Sequence, residues 1–544
     1  MHPSLAILMA QINPTVGAIT ANTEKIIHII QAHQANHDVI IFPELALTGY
    51  PPEDLLFRHE FFQDIQHALA AIKASTSDCH IIIGHPCLEN DKRFNSASIM
   101  ANGTIVGHYH KQHLPNYGVF DEQRYFTKGP PIPCVLTIKN HRLGLCICED
   151  VWLPGPVEAL IAARADIIMS INASPFEKNK YLTRESLLRT YAQSGVSMIY
   201  VNQVGGQDEL VFDGQSFVLD PTGAICARAP AFVEHLQTIT WQGAPLPSEI
   251  TPLLTNEALI YQALVCGLRD YVQKNNFPGV LLGLSGGVDS ALTLSIAVDA
   301  LGAERVQVIF MPSRYTADIS EEDALLQAET MRVSYTTIPI EPLFTTYLTS
   351  LAPSFQGLPQ DATEENLQAR IRGTLLMAFS NKTGKMLLTT SNKSECAVGY
   401  STLYGDMAGG FAVLKDVLKT TVYDLAHHRN SLSPVIPLRV LTRAPSAELA
   451  INQKDQDHLP DYALLDEIIT HYMEERLSAD EIIQCGYPAH DVLKTIHLIQ
   501  KNEYKRHQAA PGIKITACAF GRDWRYPITS GFKTHPHPKM PLAK

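Results

Sequence analysis

The run LLGLSGGVDSALTLSIAV, residues 281–298, constrains the fold of this chain more than any other stretch. Val280 to Leu284 form an uninterrupted apolar segment, the pattern of a strand buried on both faces. Ser285, Gly286 and Gly287 make a turn, and a helix is expected to begin around Asp289 and Ser290, both residues of the type that caps helices. Glycines let backbone N–H groups crowd an anion, and a helix N-terminus adds partial positive charge and unsatisfied donors. The run therefore reads as a phosphate cradle. It is not the G-x-x-x-x-G-K-S/T loop, because the lysine is absent, and its glycines are too few and differently spaced for the dinucleotide fingerprint.

At 544 residues the chain is too long for one hydrophobic core, so two large domains are expected. Short apolar runs such as HDVIIFPE, CHIIIGH, HRLGLCICED, ADIIMSINAS and VSMIYVNQ alternate with helical patterns, which places the chain in the α/β class. WQGAPLPSEITPLLTN, residues 241–256, has three prolines and no sustained period and reads as a connection. The expected division is a domain over 1–245, a linker over 246–256 and a domain over 257–544, the last opening on the amphipathic helix EALIYQALVCGLRDYVQKN. The net charge of -12 argues against a nucleic-acid partner. No basic segment precedes the first apolar run and no stretch of 18 apolar residues occurs, so no membrane partner is expected and the cytoplasm is the expected compartment. The ten cysteines include no C-x-x-C pair, suit neither a disulfide framework nor a zinc site, and read mostly as reduced core residues. The histidines of the tail THPHPK are too few and too proline-spaced to suggest a metal site.

In the first half, three polar residues follow separate apolar strands: Glu44 in VIIFPELALTGYPPEDL, Lys111 in VGHYHKQHLPNYGVFDEQRYF and Cys148 in HRLGLCICEDVW. Active sites of open sheets gather at strand ends. Alternation puts Leu143, Leu145 and Ile147 on one face and Cys146 and Cys148 on the other, with Cys148 alone at the end. A thiol becomes a nucleophile when a base takes its proton beside a cation. Glu44 is suited to be that base, and Lys111 to stabilise thiolate and oxyanion.

These three stretches resemble the nitrilase, or carbon-nitrogen hydrolase, superfamily over roughly residues 4–240, and LPNYGVFDEQRYF with ICEDVW is similar to the glutaminase domain of glutamine-dependent NAD synthetases. The resemblance implies a nitrilase-like αββα sandwich, a Glu44, Lys111 and Cys148 triad, glutamine-holding positions at Tyr117, Ser174 and Lys180, and a supporting glutamate at Glu122. S-G-G-x-D-S resembles the pyrophosphatase-type loop of ATP-dependent ligases that release AMP and pyrophosphate. From about 255 to 520 the chain resembles the NAD synthetase domain, which implies a Rossmann-like parallel sheet of the adenine nucleotide α-hydrolase type.

Residue by residue, the resemblance implies that Gly283, Leu284, Ser285, Gly286, Gly287, Val288, Asp289 and Ser290 hold ATP, with Asp289 also on Mg2+. In TEENLQARIRGTLLM, Asn366 and Arg370 would face deamido-NAD. In TTSNKSECAVGYSTLYGDMAGGFAVLKDVLKT, Thr390 would contact ATP, Glu395 would serve deamido-NAD, Mg2+ or both, and Lys419 would reach an ATP phosphate. Ser446 in RAPSAELAINQKDQDHLPDYALLDEII and Lys505 in NEYKRHQAAPGIKIT would contact ATP and deamido-NAD respectively. The implied activity is ATP-dependent amidation of deamido-NAD with ammonia from L-glutamine, by a homo-oligomer whose ammonia passes between sites through a protein channel. Two other readings stay open: another amidotransferase or tRNA-modifying ligase with this loop, and an ammonia-only synthetase whose first domain is not catalytic.

Overall fold

The computed structural model describes residues 4–450, 453, 455–457 and 459–532, so the THPHPK tail lies outside the described residues. The chain divides into two units, Met1–Thr255 and Asn256–Lys544.

In the first unit, β1 (Leu5–Gln11), β2 (Val39–Ile41), β3 (His80–Glu89), β4 (Lys92–Ala101), β5 (Thr104–His110) and a late strand, Trp241 at its end, form one six-stranded sheet. β6 (Cys134–Ile138), β7 (His141–Ile147), β8 (Ile167–Asn172) and β9 (Ser197–Asn202) belong to a second; β10 (Val204–Gln207) and β11 (Leu210–Asp213) pair as a ribbon. β12 (Phe217–Leu219) and β13 (Ile225–Arg228) complete the second sheet and β14 (His235–Trp241) closes the first, in the orders β13-β12-β9-β8-β7-β6 and β14-β1-β2-β3-β4-β5.

Strand alternation divides the apolar residues between layers. Ile82, Val39, Ile41, Ile7 and Met9 pack with Leu145, Ile147, Ile167 and Met169 in a core between the sheets. Ile81, Ile83, Ile40 and Leu8 face the other way, against the helices Ile19–His33 and His59–Ala74. Cys146, Ile168 and Met198 pack against the helices Pro156–Ala162 and Lys180–Ala192. The unit is thus an αββα sandwich, with each buried Ile or Leu side chain contributing roughly 1.5–3 kcal/mol.

The alternation expected for Cys148 does not hold. β7 ends at Ile147, Cys148 opens a 3-10 turn with φ +46°, and it packs with the inter-sheet residues rather than with Cys146. The change from extended to left-handed backbone swings the side chain off the strand's register. The stretch expected as a linker over 246–256 is backbone-bonded to the first unit: Ile250 bridges Arg228, and Ser248 N–H donates to Cys226 O.

The second unit opens on the helix Asn256–Lys274 and builds one parallel sheet from β15 (Val280–Gly283), β16 (Val306–Phe310), β17 (Ser334–Thr337), β18 (Met386–Thr389) and β19 (Phe411–Ala412). Its order is β17-β16-β15-β18-β19. The chain moves outward from β15 to β17 and then returns to β18 on the other side. The crevice at the carboxyl ends of β15 and β18 is therefore the topological switch point, where ligands of such sheets bind. The helix Val288–Leu301 follows β15 and is buried nearly all round, since the helices Asn256–Lys274 and Lys419–Leu432 cover it. A separate helical core around Leu465, Met473, Ile496 and Trp524 follows the sheet.

Candidate active sites

Glu44 follows β2, Lys111 follows β5 and Cys148 follows β7, and all three are buried. Lys111 Nζ donates to Glu44 Oε1 at 2.7 Å and to Glu122 Oε1 at 2.8 Å. Glu44 also accepts from Asn95 Nδ2 at 2.7 Å and from Ala173 N–H at 2.8 Å, which fixes its carboxylate from both sides. Tyr50 hydroxyl donates to Glu122 at 2.9 Å. Burial opposes the Lys111 charge, but Glu122 and Glu44 outweigh it and hold the ammonium well above its usual pKa. Burial raises Glu122 to about 7 against the pull of Lys111, with Glu44 adding to the rise. Burial and Glu44 push the Cys148 thiol up, and Lys111 opposes them. The site thus keeps a charged lysine, a thiol and a carboxyl raised to about 7 in close proximity.

Cys148 and Leu45, the residue after Glu44, both have left-handed backbone at φ +46°. A non-glycine residue at φ +46° costs on the order of 1–3 kcal/mol and persists only where its surroundings over-determine it. At Cys148, Asp150 supplies the restraint. Its carboxylate accepts from Ile147 N–H at 3.1 Å, Tyr109 hydroxyl at 2.8 Å, Gln112 N–H at 3.0 Å and His113 N–H at 2.9 Å. It thereby ties the turn carrying Cys148 to the segment carrying Lys111.

Cys148 lies on the wall of a cavity of about 290 Å³, with Tyr117, Phe120, Glu149, Ser174 and Lys180. All three expected glutamine positions are thus brought to one cavity. Tyr117 hydroxyl donates to Glu149 at 3.0 Å, and Lys180 Nζ lies 5.9 Å from the Phe120 ring centroid. Arg184, fully buried and bonded to Asp213 and to the Ser174 and Pro175 carbonyls, holds the Ser174 backbone in place. Glu149 and Asp150 were given no role by the sequence; their adjacency to Cys148 in ICEDVW is the only signal there.

In the second unit the turn after β15 has the backbone a phosphate cradle needs. Gly286 sits at φ +79°, and a Cβ there would lie 2.4 Å from Ser320 O, so only glycine fits. Ser290 Oγ accepts from Ser285 N–H at 3.2 Å and donates to Gly287 O at 3.0 Å, folding the loop upon itself. The strand stops at Gly283 and the helix starts at Val288, each one residue before its expected position.

Two cavities meet at this loop. One, about 150 Å³, is lined by Ser285 to Asp289, Glu395, Lys419, Arg443, Ser446 and Asp455. The other, about 260 Å³ and largely apolar, is lined by Gly283, Leu284, Met311, Leu376, Thr390 and Arg372, and shares Ser285 with the first. Lys419 Nζ lies 2.5 Å from Asp289 Oδ2 and 3.3 Å from Glu395 Oε1; Asn392 Nδ2 donates to Asp289 Oδ1 at 2.8 Å. Lys419 is held well above its usual pKa by Asp289 and Glu395, which outweigh burial. Burial raises Glu395 to about 8, with Lys419 opposing and Asp289 adding. Ser446 Oγ donates to Gln453 O at 2.5 Å.

The remaining candidates gather elsewhere in the unit. Asn366 accepts from Thr402 hydroxyl at 2.7 Å, Arg370 donates to Leu403 O at 3.2 Å, and Lys505 donates to Gly399 O and Ser401 O at 2.8 and 2.7 Å. All three hold the segment 399–403, whose Tyr400 lines the smaller cavity, and none lines either cavity itself. Arg443, Arg372 and Asp455 are cavity residues that sequence reasoning passed over. Arg443 heads the quoted RAPSAELAINQ run, and Asp455 lies in KDQD within the same stretch.

The fold and these sites define a class of two-part enzyme: a nitrilase-type amide hydrolase joined to a ligase with a pyrophosphate-binding loop. Residues 7–243 match the carbon-nitrogen hydrolase family and residues 260–509 match NAD synthase. The chain belongs to the glutamine-dependent NAD(+) synthetases. It is 48% identical to that of Acinetobacter baylyi over 97% of this chain and 99% of the relative, and 45% identical to that of Aquifex aeolicus over 97% and 100%. The solved structure of glutamine-dependent NAD+ synthetase from Acinetobacter baumannii, in complex with ADP, superposes with a TM-score of 0.80 at 47% identity over 98% of this chain and all of that one. One from Cytophaga hutchinsonii, at 23% identity and a TM-score of 0.84 over 97% and 98%, shares the fold.

Proposed function

We propose that this chain amidates deamido-NAD to NAD with ammonia taken from L-glutamine, forming glutamate, AMP and pyrophosphate, and that the two sites divide the work as follows. The observation that carries the reading is buried Lys111 bonded to both Glu44 and Glu122 beside a cavity that Cys148 lines. The cavity is of amino-acid size, and its charged walls, Glu149 and Lys180, suit the α-ammonium and α-carboxylate of glutamine. Glu44 takes the Cys148 proton as sulfur attacks the amide carbon. Lys111 stabilises the oxyanion, ammonia departs with the proton Glu44 returns, and water hydrolyses the thioester.

In the second unit, the polar cavity beneath Gly286 and Gly287 takes the phosphates and the apolar one takes the adenosine; ADP bound to the Acinetobacter baumannii relative supports the nucleotide class. The carboxylate of deamido-NAD attacks the α-phosphorus, pyrophosphate leaves, and ammonia displaces AMP from the mixed anhydride. Lys419 and Arg443 supply the cationic charge that the loop lacks.

The residues present fit Mg2+. Asp289, Glu395 and Asp455 gather around the Lys419 ammonium at the phosphate loop, in a cavity that Arg443 also lines, and Asp455 Oδ1 is buried without a hydrogen-bond partner among the described residues. Hard oxygen donors beside a phosphate cradle are the ligands Mg2+ prefers, and Asp289, Glu395 and Asp455 would hold it to neutralise phosphate charge. Among the described residues no helix is long and apolar enough to cross a membrane. The reading carries a cytoplasmic setting, where these substrates reside, and on the family resemblance alone a homo-oligomer.

The test is chromatographic detection of NAD from deamido-NAD, ATP and Mg2+, with glutamine or ammonium, for the wild type and Cys148→Ala. NAD from both donors in the wild type, and from ammonium alone in the variant, is expected. No NAD from either donor in folded wild-type protein would overturn the substrate; glutamine use retained in Cys148→Ala would overturn the site.

A further inference from the structure

On the first sheet, one face of three adjacent strands carries a set of metal-type donors that the proposed chemistry leaves unused. Cys87 and Glu89 are two residues apart on β3, and His108 and His110 two apart on β5; alternation puts each pair on one face. Between them β4 presents Ser96 and Ser98, with Ser96 opposite His85 and His110, and Ser98 opposite His108. The two small serines leave room for side chains from both flanking strands to meet above β4.

They do meet. Cys87 Sγ, a Glu89 oxygen and a His108 ring nitrogen all lie within 4.8 Å of one another. Cys87 Sγ is 3.2 Å from Glu89 Oε1, His108 Nε2 is 3.6 Å from Oε1, and His110 Nε2 is 3.5 Å from Oε2. Ligands at about 2.0–2.3 Å around a tetrahedral ion stand about 3.3–3.8 Å apart, and the separations of Cys87 and His108 from Glu89 Oε1 already approach that spacing. No Lys or Arg among the described residues pairs with Glu89.

The hydrogen-bond chain behind the cluster aims the lone pairs. His85 Nδ1 lies 2.9 Å from Pro86 O, which only accepts, so His85 Nδ1 carries the proton and Nε2 accepts from Ser98 hydroxyl at 2.8 Å. Ser98, its proton spent, accepts from His108 Nδ1 at 3.1 Å. His108 Nε2 is then left with its lone pair facing the Glu89 carboxylate. Ser96 likewise engages His110 Nδ1 at 2.7 Å, and Phe94 stacks on the His110 ring at 4.1 Å, fixing its plane. Metal-binding histidines are oriented in this way, through the ring nitrogen that does not ligate.

We propose that Cys87, Glu89 and His108 form a three-ligand binding site for a divalent transition metal, with Zn2+ the best match to one sulfur, one imidazole and one carboxylate, while His110 holds the other Glu89 oxygen. Binding replaces the thiol proton: the Cys87 S–H bond breaks, a sulfur–metal bond forms, and one proton passes to solvent with no change in oxidation state. Cys87 is half-buried while Glu89 and His108 are exposed, so the ion has direct access. The site would pin β3 to β5 across β4; Lys111 follows β5 directly, and Gly84 of β3 packs against the backbone at Glu44. This inference concerns residues outside the proposed NAD chemistry and stands apart from it.

The test uses full-length, tag-free protein titrated with Co2+ and then with Zn2+. Expected are tetrahedral visible bands with a near-ultraviolet thiolate-to-cobalt band, bleached by Zn2+ and unchanged in Cys148→Ala and Cys485→Ser. Cys87→Ser should lose the thiolate band, and His108→Ala and Glu89→Gln should each weaken Co2+ binding by about tenfold or more. Circular dichroism confirms that each variant is folded, and with three variants on two strands the result does not hang on any one of them. No thiolate band in the wild type, or a band that survives Cys87→Ser, overturns the proposal.

Discussion

Lys111 Nζ lies 2.7 Å from Glu44 Oε1, and neither side chain is open to solvent. With Glu122 at 2.8 Å on the same nitrogen, one ammonium serves two buried carboxyl groups. Removing it leaves them uncompensated, which costs about 3–5 kcal/mol in a buried pair. Lys111→Met is therefore expected to lower the urea midpoint of the first unit, and Lys111→Met/Glu122→Gln to recover part of the loss. Glutamine-supported NAD formation should fall by about 100-fold or more in both, since neither restores an oxyanion donor, while ammonium-supported formation persists. Equal loss with both donors would refute this division of labour.

Glu122 makes stability depend on pH in an unusual direction for a carboxyl group. Burial raises it to about 7 in the folded chain, above its ordinary value of 4.5. Between those values the folded state binds more protons than the unfolded one, so stability is fullest below about pH 4.5 and is lost as pH rises through about 7. Glu122→Gln removes this contribution. The thermal midpoint of the wild type should therefore decline more steeply than that of the variant from pH 5 to 7, and parallel slopes would count against it.

In the second unit the same physics touches ligand binding. Glu395, raised to about 8 mainly by burial, is largely protonated at pH 7, yet a bound dication favours the carboxylate. Titration with preformed Mg2+–ATP at pH 7 should release a proton, so that the apparent enthalpy grows more exothermic in buffers of larger ionisation enthalpy. In Glu395→Gln that dependence should shrink. An identical dependence in the variant would remove Glu395 from the metal's ligands.

Gly286 tests the loop itself. Alanine at φ +79°, with its Cβ 2.4 Å from Ser320 O, must displace backbone. Gly286→Ala should raise the KM for ATP by tenfold or more and slow NAD formation from either donor, while glutamine hydrolysis assayed without ATP continues. A variant with the wild-type KM for ATP would show that this loop does not cradle phosphate.

Much of this architecture is legible in the sequence because it rests on local pattern. The runs ending at Ile41, Ile147 and Gly283 mark buried strands, and the polar residues just beyond them mark strand ends. What escapes is what depends on backbone reversal or on distant partners. The period of β7 predicts Cys148 beside Cys146, but the left-handed turn breaks that period at the residue that matters. Asn366, Arg370 and Lys505 lie far apart in sequence, and their shared hold on segment 399–403 exists only once the helices have packed. The cysteine spacing suggested no zinc site, because Cys87 and His108 meet through sheet register rather than along one segment.

Asp150 offers the sharpest separation of positioning from chemistry. Its two oxygens accept four hydrogen bonds, two from the backbone beyond Lys111, one from Ile147 N–H and one from Tyr109. Asparagine keeps the shape but turns one oxygen into a donor, leaving amide donors facing an N–H group at about 1–3 kcal/mol for each unmet buried bond. The tie between the turn that carries Cys148 and the segment that carries Lys111 is then broken on one side, although both residues remain in the chain. Asp150→Asn is expected to lower kcat with glutamine by about 10- to 100-fold, since small misplacements of reacting groups cost rates of that order, with KM for glutamine little changed. The rate with ammonium should match the wild type. A rise in KM at constant kcat would assign Asp150 to substrate binding instead, and an unchanged rate with glutamine would show that the strained turn at Cys148 is held without it.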